Sequence, residues 1–284
     1  MSHAQLLSPA QLAERLDQPE LRILDCRFAL EDPAYGARSY AQEHIPGARF
    51  ADLERDLSGP VQKGVTGRHP LPDPALLVER LRAWGIDNAS PVVLYDGGPG
   101  AFAARAWWLL AWLGKRDGVY LLDGGLNAWR AAGLPLTAEL PAPAAGTFQG
   151  QPDPDLLVEA QHLLARLGDV RLTLLDARAL PRFRGEVEPL DPVAGHIPGA
   201  RCAPFTENLG ADGRFLPAGQ LRERFTNLLG ERPPQQLVAY CGSGVTACHN
   251  LFALSLAGYP LAPLYAGSWS EWLTDRSRPV ATGD

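Results

Sequence analysis

Short apolar runs alternate with longer helical patterns along the whole chain. The runs VVLY (92–95) and QLVAY (236–240) have the length and composition of buried strands, and each ends at a glycine-rich turn. The segment AFAARAWWLLAWLG (101–114) is apolar on all sides, which predicts a buried helix that ends at Gly114. Strands and helices in alternation predict an α/β fold in which helices cover both faces of a mostly parallel sheet.

This pattern occurs twice. LRILDCR (21–27) matches LTLLDAR (172–178), and each copy is followed by the identical hexapeptide HIPGAR. Further along, VVLYDGGPG matches LVAYCGSGV, and LLDGGLNAW matches LYAGSWSEW. Matches in the same order in both halves indicate an internal duplication.

The length of 284 residues is more than one compact core usually holds, so the duplication predicts two domains. A segment rich in proline, alanine and glycine joins the copies and has the composition of an extended linker. We therefore predict a first domain over residues 1–140, a linker over 141–153 and a second domain over 154–284.

Composition narrows the possible partners and the compartment. The net charge is −6 and basic residues form no run, which argues against nucleic acid as a partner. The N-terminal stretch lacks a secretory pattern and no segment has the length of a membrane span, so a cytoplasmic protein is expected. Four cysteines without a C-x-x-C pair favour neither a zinc site nor a disulfide framework.

The stretch CGSGVTAC (241–248) carries the strongest chemical signal. It places Cys241 between a predicted strand and a predicted helix, where several backbone N–H groups point into one small volume at the positive end of a helix dipole. Such a turn stabilises a thiolate, the nucleophilic form of cysteine. The alternative for Cys241 alone is a small buried core residue.

The repeat supplies an internal comparison for this cysteine. Asp96 stands at the equivalent position of the first copy, also between tyrosine and glycine. Aspartate is a poor substitute for a core cysteine, so the comparison favours a chemical role for Cys241 and leaves the first copy without a nucleophile. A cysteine phosphatase would need arginine six positions after the cysteine to clamp phosphate, and Ala247 stands there.

Taken together, these motifs resemble the tandem rhodanese sulfurtransferases. Two copies of D-x-R followed by HIPGA, with a cysteine loop in the second copy alone, cover nearly the whole chain. The uncharged CGSGVTA loop is most similar to the mercaptopyruvate branch, because the thiosulfate branch typically has basic residues just after the cysteine. The resemblance implies two rhodanese-like domains, each a mostly parallel sheet flanked by helices.

The resemblance also implies a reaction. The Cys241 thiolate would take a sulfane sulfur from 3-mercaptopyruvate, and the persulfide would pass it to cyanide, a small thiol or reduced thioredoxin in a ping-pong cycle without a cofactor. Gly242 and Gly244 would let the loop curl around the sulfur, with N–H groups as far as Val245 and Thr246 facing it. A thiosulfate:cyanide sulfurtransferase and a non-enzymatic persulfide carrier are the alternatives.

By the same resemblance, Arg182 in the sequence PRFRG matches the arginine that contacts the donor. The mercaptopyruvate branch has a second arginine, but that position falls here at Leu190 or Asp191. Either Arg184 or Arg178 would have to replace its charge, unless they form salt bridges with neighbouring carboxylates.

The mercaptopyruvate branch further implies a proton relay beside the cysteine. Ser243 matches its serine and His69, in GRHPLP, matches its histidine. The aligned carboxylate is Glu54, with Asp52 close by. A histidine that titrates near neutral pH would shuttle a proton to the departing enolate. We expect His69 and Glu54 to come from the first domain, with the active site near the domain interface.

Overall fold

The computed structural model describes residues 4–142, 144–230 and 232–284. Within these residues the strands are β1 (Gln5–Leu7), β2 (Arg22–Asp25), β3 (Ala48–Phe50), β4 (Val92–Tyr95), β5 (Val119–Leu122), β6 (Thr173–Asp176), β7 (Ala200–Cys202) and β8 (Leu237–Tyr240). The helices are α1 (Pro9–Ala13), α2 (Tyr35–Gln42), α3 (Pro74–Ala83), α4 (Ala101–Trp112), α5 (Gly125–Ala131), α6 (Ala160–Ala165), α7 (Leu180–Arg184), α8 (Ala218–Leu229), α9 (Thr246–Leu256) and α10 (Ser268–Trp272).

Each half of the chain forms its own parallel sheet. The first sheet has the order β1-β5-β4-β2-β3, and every neighbouring pair is parallel. The second has the order β7-β6-β8. Single parallel bridges pair Leu264 with Ala239 of β8 and Leu157 with Leu264. They add the segments around Leu264 and Leu157 beside β8, at the positions that β5 and β1 occupy beside β4 in the first sheet. The predicted α/β fold and internal duplication are confirmed.

The two halves meet through equivalent helices. Helix α4 follows the central strand β4, helix α9 follows the central strand β8, and the two helices pack against each other. Trp107 and Phe252 form an edge-to-face pair across this contact, with ring centroids 5.0 Å apart. Both helices are buried on all sides because they pack against their own sheet and each other. The contact places the carboxyl ends of β4 and β8 beside the interface.

The predicted buried helix is confirmed, since α4 ends at Trp112 and Gly114 follows at a φ of +91°. Residues 144–153 form no helix or strand and lie along the first half. There Phe148 N–H donates to the Ile86 carbonyl at 3.1 Å, and Asp153 N–H donates to the Trp112 carbonyl at 2.8 Å. The exact domain boundaries stay a prediction. Among the described helices, none has both the length and the apolar character needed to cross a membrane.

Candidate active site

Cys241 lies at the carboxyl end of β8, where the chain turns into α9. The residue is 1 % exposed. Its N–H donates to Ser268 Oγ at 3.1 Å, and its carbonyl accepts the N–H of Trp269 at 3.0 Å. These bonds to the first turn of α10 fix the backbone of the cysteine at the end of β8.

The loop after the cysteine has unused backbone donors. In the described part of the chain, the N–H groups of Gly242, Ser243, Gly244 and Val245 donate to no protein acceptor. Gly244 has a φ of +78°, and a Cβ at this position would overlap the carbonyl oxygen of Ala266, so the turn requires glycine. Four free donors at the N-terminus of an eleven-residue helix form a cradle for an anion.

The equivalent loop of the first half shows such a cradle occupied. The Asp96 carboxylate accepts the N–H groups of Gly98 and Gly100 at 3.0 Å, of Phe102 at 2.9 Å and of Ala103 at 3.4 Å. Burial raises the pKa of Asp96, and the four N–H donors oppose that rise. In the first copy the turn therefore surrounds the residue at this position with amide donors, and Cys241 occupies the equivalent position in the second copy.

The structure brings two predicted site residues together across the interface. His69 Nδ1 lies 2.8 Å from Ser243 Oγ, although the residues come from different halves of the chain. His69 is buried, and Phe28 packs its ring edge-on against it at a centroid distance of 6.2 Å. Burial, with the nearby charges of Arg105 and Arg68, lowers the pKa of His69 to about 4. The expectation of a near-neutral titration is therefore wrong, and this imidazole is uncharged at neutral pH.

Glu54 is not brought to His69. Its side chain is exposed and borders a separate surface cleft with Pro60, Leu76 and Arg80. Asp52 does not replace it, because the Asp52 carboxylate accepts the N–H of Glu54 at 2.8 Å within the local turn. The predicted carboxylate member of the relay is thus corrected, and the described site contains a serine–histidine pair.

Two arginines lie over the mouth of the loop. A Cβ built on Gly242 would lie 2.8 Å from Nη2 of Arg68 and 3.6 Å from Nη2 of Arg182. Arg182 was predicted from the sequence, whereas Arg68 was missed. The only sequence signal for Arg68 is its position directly before His69. Because His69 contacts Ser243 across the interface, Arg68 also lies near the cysteine loop.

Two carboxylates hold these arginines. Glu188 accepts from Arg182 Nη2 at 2.6 Å and from Arg182 Nε at 3.0 Å. Asp191 bonds Arg68 and also lies 3.3 Å from Arg182 Nη2. Burial raises the pKa of Asp191, which Arg68 and Arg182 oppose. The mouth therefore carries two guanidinium groups whose charge is largely balanced by two carboxylates.

Arg178 and Arg184 do not supply the second donor arginine. The buried Arg178 bonds Asp176 at 2.6 Å and lies 4.7 Å above the ring of Trp269. Arg184 bonds the carboxylate of Asp284 at 2.6 Å. The salt bridge expected between Arg178 and Asp176 is therefore present, whereas the partner of Arg184 is Asp284 and not the expected Glu186 or Glu188. Arg68 is the second cation at the loop.

The duplicated sheet and the cysteine loop agree with comparisons with known proteins. The family model described as a rhodanese-like domain matches residues 8–132 and again residues 159–275. The chain belongs to the rhodanese family. This confirms the family predicted from the repeated motifs, with one rhodanese-like domain in each half.

Relatives of this rhodanese cover its whole length. A protein of Pseudomonas aeruginosa named "Probable 3-mercaptopyruvate sulfurtransferase" is 73 % identical over 284 residues, which is 100 % of both chains. The "Thiosulfate sulfurtransferase" of Cricetulus griseus is 36 % identical and matches 94 % of this chain and 91 % of its own. The solved 3-mercaptopyruvate sulfurtransferase from Leishmania major has a TM-score of 0.84 at 32 % identity, over 99 % of this chain and 77 % of that one. These names agree with the predicted enzyme class.

Proposed function

We propose that this rhodanese moves sulfur from 3-mercaptopyruvate to a thiophilic acceptor through a persulfide on Cys241. The observation that carries the proposal is the meeting of four groups at one loop: the cysteine, the pair formed by Ser243 and His69, and the guanidinium groups of Arg68 and Arg182. The relatives named as mercaptopyruvate sulfurtransferases support the same donor.

The arginines would bind the donor carboxylate. Both guanidinium groups lie over Gly242, next to the nucleophile. A guanidinium group has several N–H donors, so each arginine could keep its contact with Glu188 or Asp191 and also donate charge-assisted hydrogen bonds to the carboxylate of the donor. Binding at this point directs the donor sulfur toward Cys241.

The first half-reaction follows from this placement. The Cys241 thiolate attacks the donor sulfur, a new S–S bond forms, and the C–S bond breaks with its electron pair on carbon. The carbon product is the enolate of pyruvate, and it becomes pyruvate by taking up one proton, which is balanced by the proton that the donor thiol loses as the persulfide becomes an anion. The cradle of free N–H groups stabilises the anionic sulfur before the attack and the persulfide anion after it.

The serine–histidine pair would act on the enolate. Because His69 is uncharged at neutral pH, its Nδ1–H tautomer can donate to Ser243 Oγ. The Ser243 hydroxyl is then free to donate to the donor carbonyl oxygen as negative charge develops there. This arrangement needs no carboxylate partner for the histidine, in keeping with the placement of Glu54.

In the second half-reaction, the acceptor takes the outer sulfur. Cyanide, a small thiol or reduced thioredoxin attacks the outer sulfur of the persulfide, the S–S bond breaks, and its electron pair returns to Cys241 as a thiolate. The enzyme is thereby restored for another cycle. Atoms and electrons balance without an additional oxidant or reductant.

The charge at the mouth favours mercaptopyruvate over thiosulfate. Mercaptopyruvate brings one carboxylate, whereas thiosulfate brings two negative charges. Glu188 and Asp191 already neutralise much of the charge of Arg68 and Arg182. The positions after the cysteine add no positive charge, so a second negative charge on the donor has no partner in the loop.

The test is the intact mass of the reduced protein after separate incubation with mercaptopyruvate and with thiosulfate. We expect one added sulfur atom on the wild type, faster from mercaptopyruvate, and none on the folded Cys241→Ser variant. Faster loading from thiosulfate would overturn the donor assignment. Loading from neither donor would favour the persulfide carrier, and loading of Cys241→Ser would overturn the nucleophile.

A further inference from the structure

Arg105, which the proposed mechanism does not use, is a completely buried arginine at the interface between the two halves. It lies in the middle of α4, the helix that packs against α9. Its residue exposure is 0 %. Within residues 4–142, 144–230 and 232–284, no carboxylate lies within salt-bridge distance of its guanidinium group, which contacts backbone carbonyl oxygens and the side chain of Cys248. An unpaired buried charge is costly, so its presence here points to a function.

The guanidinium group joins the backbone of both halves. Its Nη2 donates to carbonyl oxygens of the first half, at 3.3 Å to His69 and 3.4 Å to Leu57 and Pro70. Its Nη1 donates to the carbonyl oxygen of Gly244 in the second half at 3.1 Å. One planar group therefore sets the distance between the histidine segment and the cysteine loop.

The charge of Arg105 is not neutralised by the other cysteine nearby. Cys248, one turn into α9, donates its S–H to the Gly244 carbonyl at 3.3 Å. Burial raises the pKa of Cys248 to about 12 although Arg105 opposes the rise, so this residue stays a thiol at neutral pH. The positive charge of Arg105 therefore lies against the loop that begins at Cys241, through its hydrogen bond to the Gly244 carbonyl.

We propose that Arg105 is a positioning residue that holds His69 in register with the Cys241 loop and stabilises the Cys241 thiolate from the interface side. The inference rests on the proposed function in taking Cys241 as the nucleophile. Among the described residues, the other charged or titratable groups around the loop include Arg68, Arg182, His69 and Cys248, together with Glu188 and Asp191, which pair with the two arginines. All of them stay unchanged in the test.

The test separates the charge of Arg105 from its hydrogen bonds. Arg105→Gln removes the charge and keeps N–H donors, whereas Arg105→Lys keeps the charge and loses the planar fork. The first measurement is the rate of iodoacetamide alkylation of Cys241 against pH, with the labelled residue assigned by peptide mapping. The second is single-turnover sulfur loading from mercaptopyruvate.

For Arg105→Gln, we expect the midpoint of the alkylation profile to rise by about one pH unit. At pH values below the midpoint, the variant should then be alkylated about tenfold more slowly than the wild type. For Arg105→Lys, we expect a midpoint near that of the wild type but sulfur loading about tenfold slower, since one ammonium cannot bond the carbonyls of both halves equally well. Donor KM should change little in both variants, because Arg68 and Arg182 remain.

The matched control is Lys115→Gln. Lys115 is a buried cation of the first half whose Nζ donates to the Asn88 carbonyl at 2.8 Å, outside the loop. The Lys115→Gln variant should be less stable than the wild type, but its Cys241 alkylation profile should be the same. A folded Arg105→Gln variant with the wild-type midpoint would overturn the charge role, and wild-type loading by Arg105→Lys would overturn the register role.

Failure of both Arg105 variants to fold would show a structural residue and would also contradict the proposal. Failure of the proposed function would look different: the wild-type protein would not load sulfur, while the alkylation profiles would still report on Arg105.

Discussion

Asp96 and Cys241 occupy the same position in the two copies of one strand-to-helix turn. Each follows a buried tyrosine at the end of a central strand and precedes one of the two helices that meet at the interface. In the first copy, the Asp96 carboxylate accepts hydrogen bonds from four backbone N–H groups of its own loop. The cysteine loop leaves its donors free for a sulfur anion. Within the described residues, the same turn therefore has its N–H donors bonded in the first copy and unbonded in the second.

Asp96→Asn should destabilise the protein by about 1–3 kcal/mol, because the amide NH2 cannot accept the N–H groups that the carboxylate accepts. Urea unfolding of the variant beside Asp17→Asn, an exposed carboxylate of the same half, measures the difference. Equal stability of both variants would mean that the cradle of the first copy does not depend on negative charge.

Arg68→Ala and Arg182→Ala should each raise the donor KM by about tenfold to a hundredfold, the loss expected for a hydrogen bond to a charged group. The second half-reaction should change little, because the acceptor attacks the outer sulfur directly. Steady-state kinetics with mercaptopyruvate provide the measurement. Arg184→Ala is the control, since Arg184 is paired with Asp284 away from the loop. A donor KM unchanged in Arg68→Ala would remove that residue from the donor site.

Asp191→Asn should shift donor preference toward thiosulfate. Removing this carboxylate leaves Arg68 and Arg182 with more uncompensated charge, which benefits a dianion more than a monoanion. We expect the ratio of kcat/KM for thiosulfate to that for mercaptopyruvate to rise by about tenfold. A constant ratio would show that the carboxylates at the mouth do not set donor choice.

Acid should destabilise the protein through His69. Its pKa is about 4 in the folded chain and about 6.5 in the unfolded chain, so below pH 6.5 the unfolded state binds more protons. Its contribution, on the order of 3 kcal/mol, is complete above pH 6.5 and is lost as the pH falls toward 4. Denaturant unfolding from pH 7 to pH 4 should show this loss, and His69→Asn should flatten the profile.

Glu54→Gln is the control for this pH dependence. Because Glu54 is exposed on another cleft, its neutral variant should retain the activity and the acid profile of the wild type. A large loss of sulfur loading in Glu54→Gln would restore the three-membered relay expected from the sequence.

Gly244→Ala should disturb the cysteine loop more than its backbone angle alone requires. Gly244 and Gly64 have nearly the same φ, +78° and +77°, but only at Gly244 would a Cβ overlap a backbone carbonyl, whereas Gly64 has open space around it. Gly64→Ala should cost about 1 kcal/mol for the left-handed angle. Gly244→Ala should cost more and slow sulfur loading. Equal effects would show that the contact with Ala266 relaxes without consequence.

Several features were predictable because they depend on local sequence. The apolar segment around Trp107 and Trp108 predicted a helix buried on all sides, and the paired strand motifs predicted the repeated parallel sheet. The position of Cys241 at a strand-to-helix turn followed from residues adjacent in sequence. These signals lie within one element or its direct neighbours, where periodicity and turn chemistry decide the structure.

The sequence by itself determined the duplicated α/β fold, the candidate nucleophile and the chemical class of its loop. Tertiary structure decided which side chains surround that loop. Arg68 and Arg105 come from the first half and reach the loop only because α4 packs against α9, while Glu54, which is close to Arg68 in sequence, lies on another surface. It also fixed the charge state of His69, because burial among fixed cations is a property of the assembled interface and not of the residue.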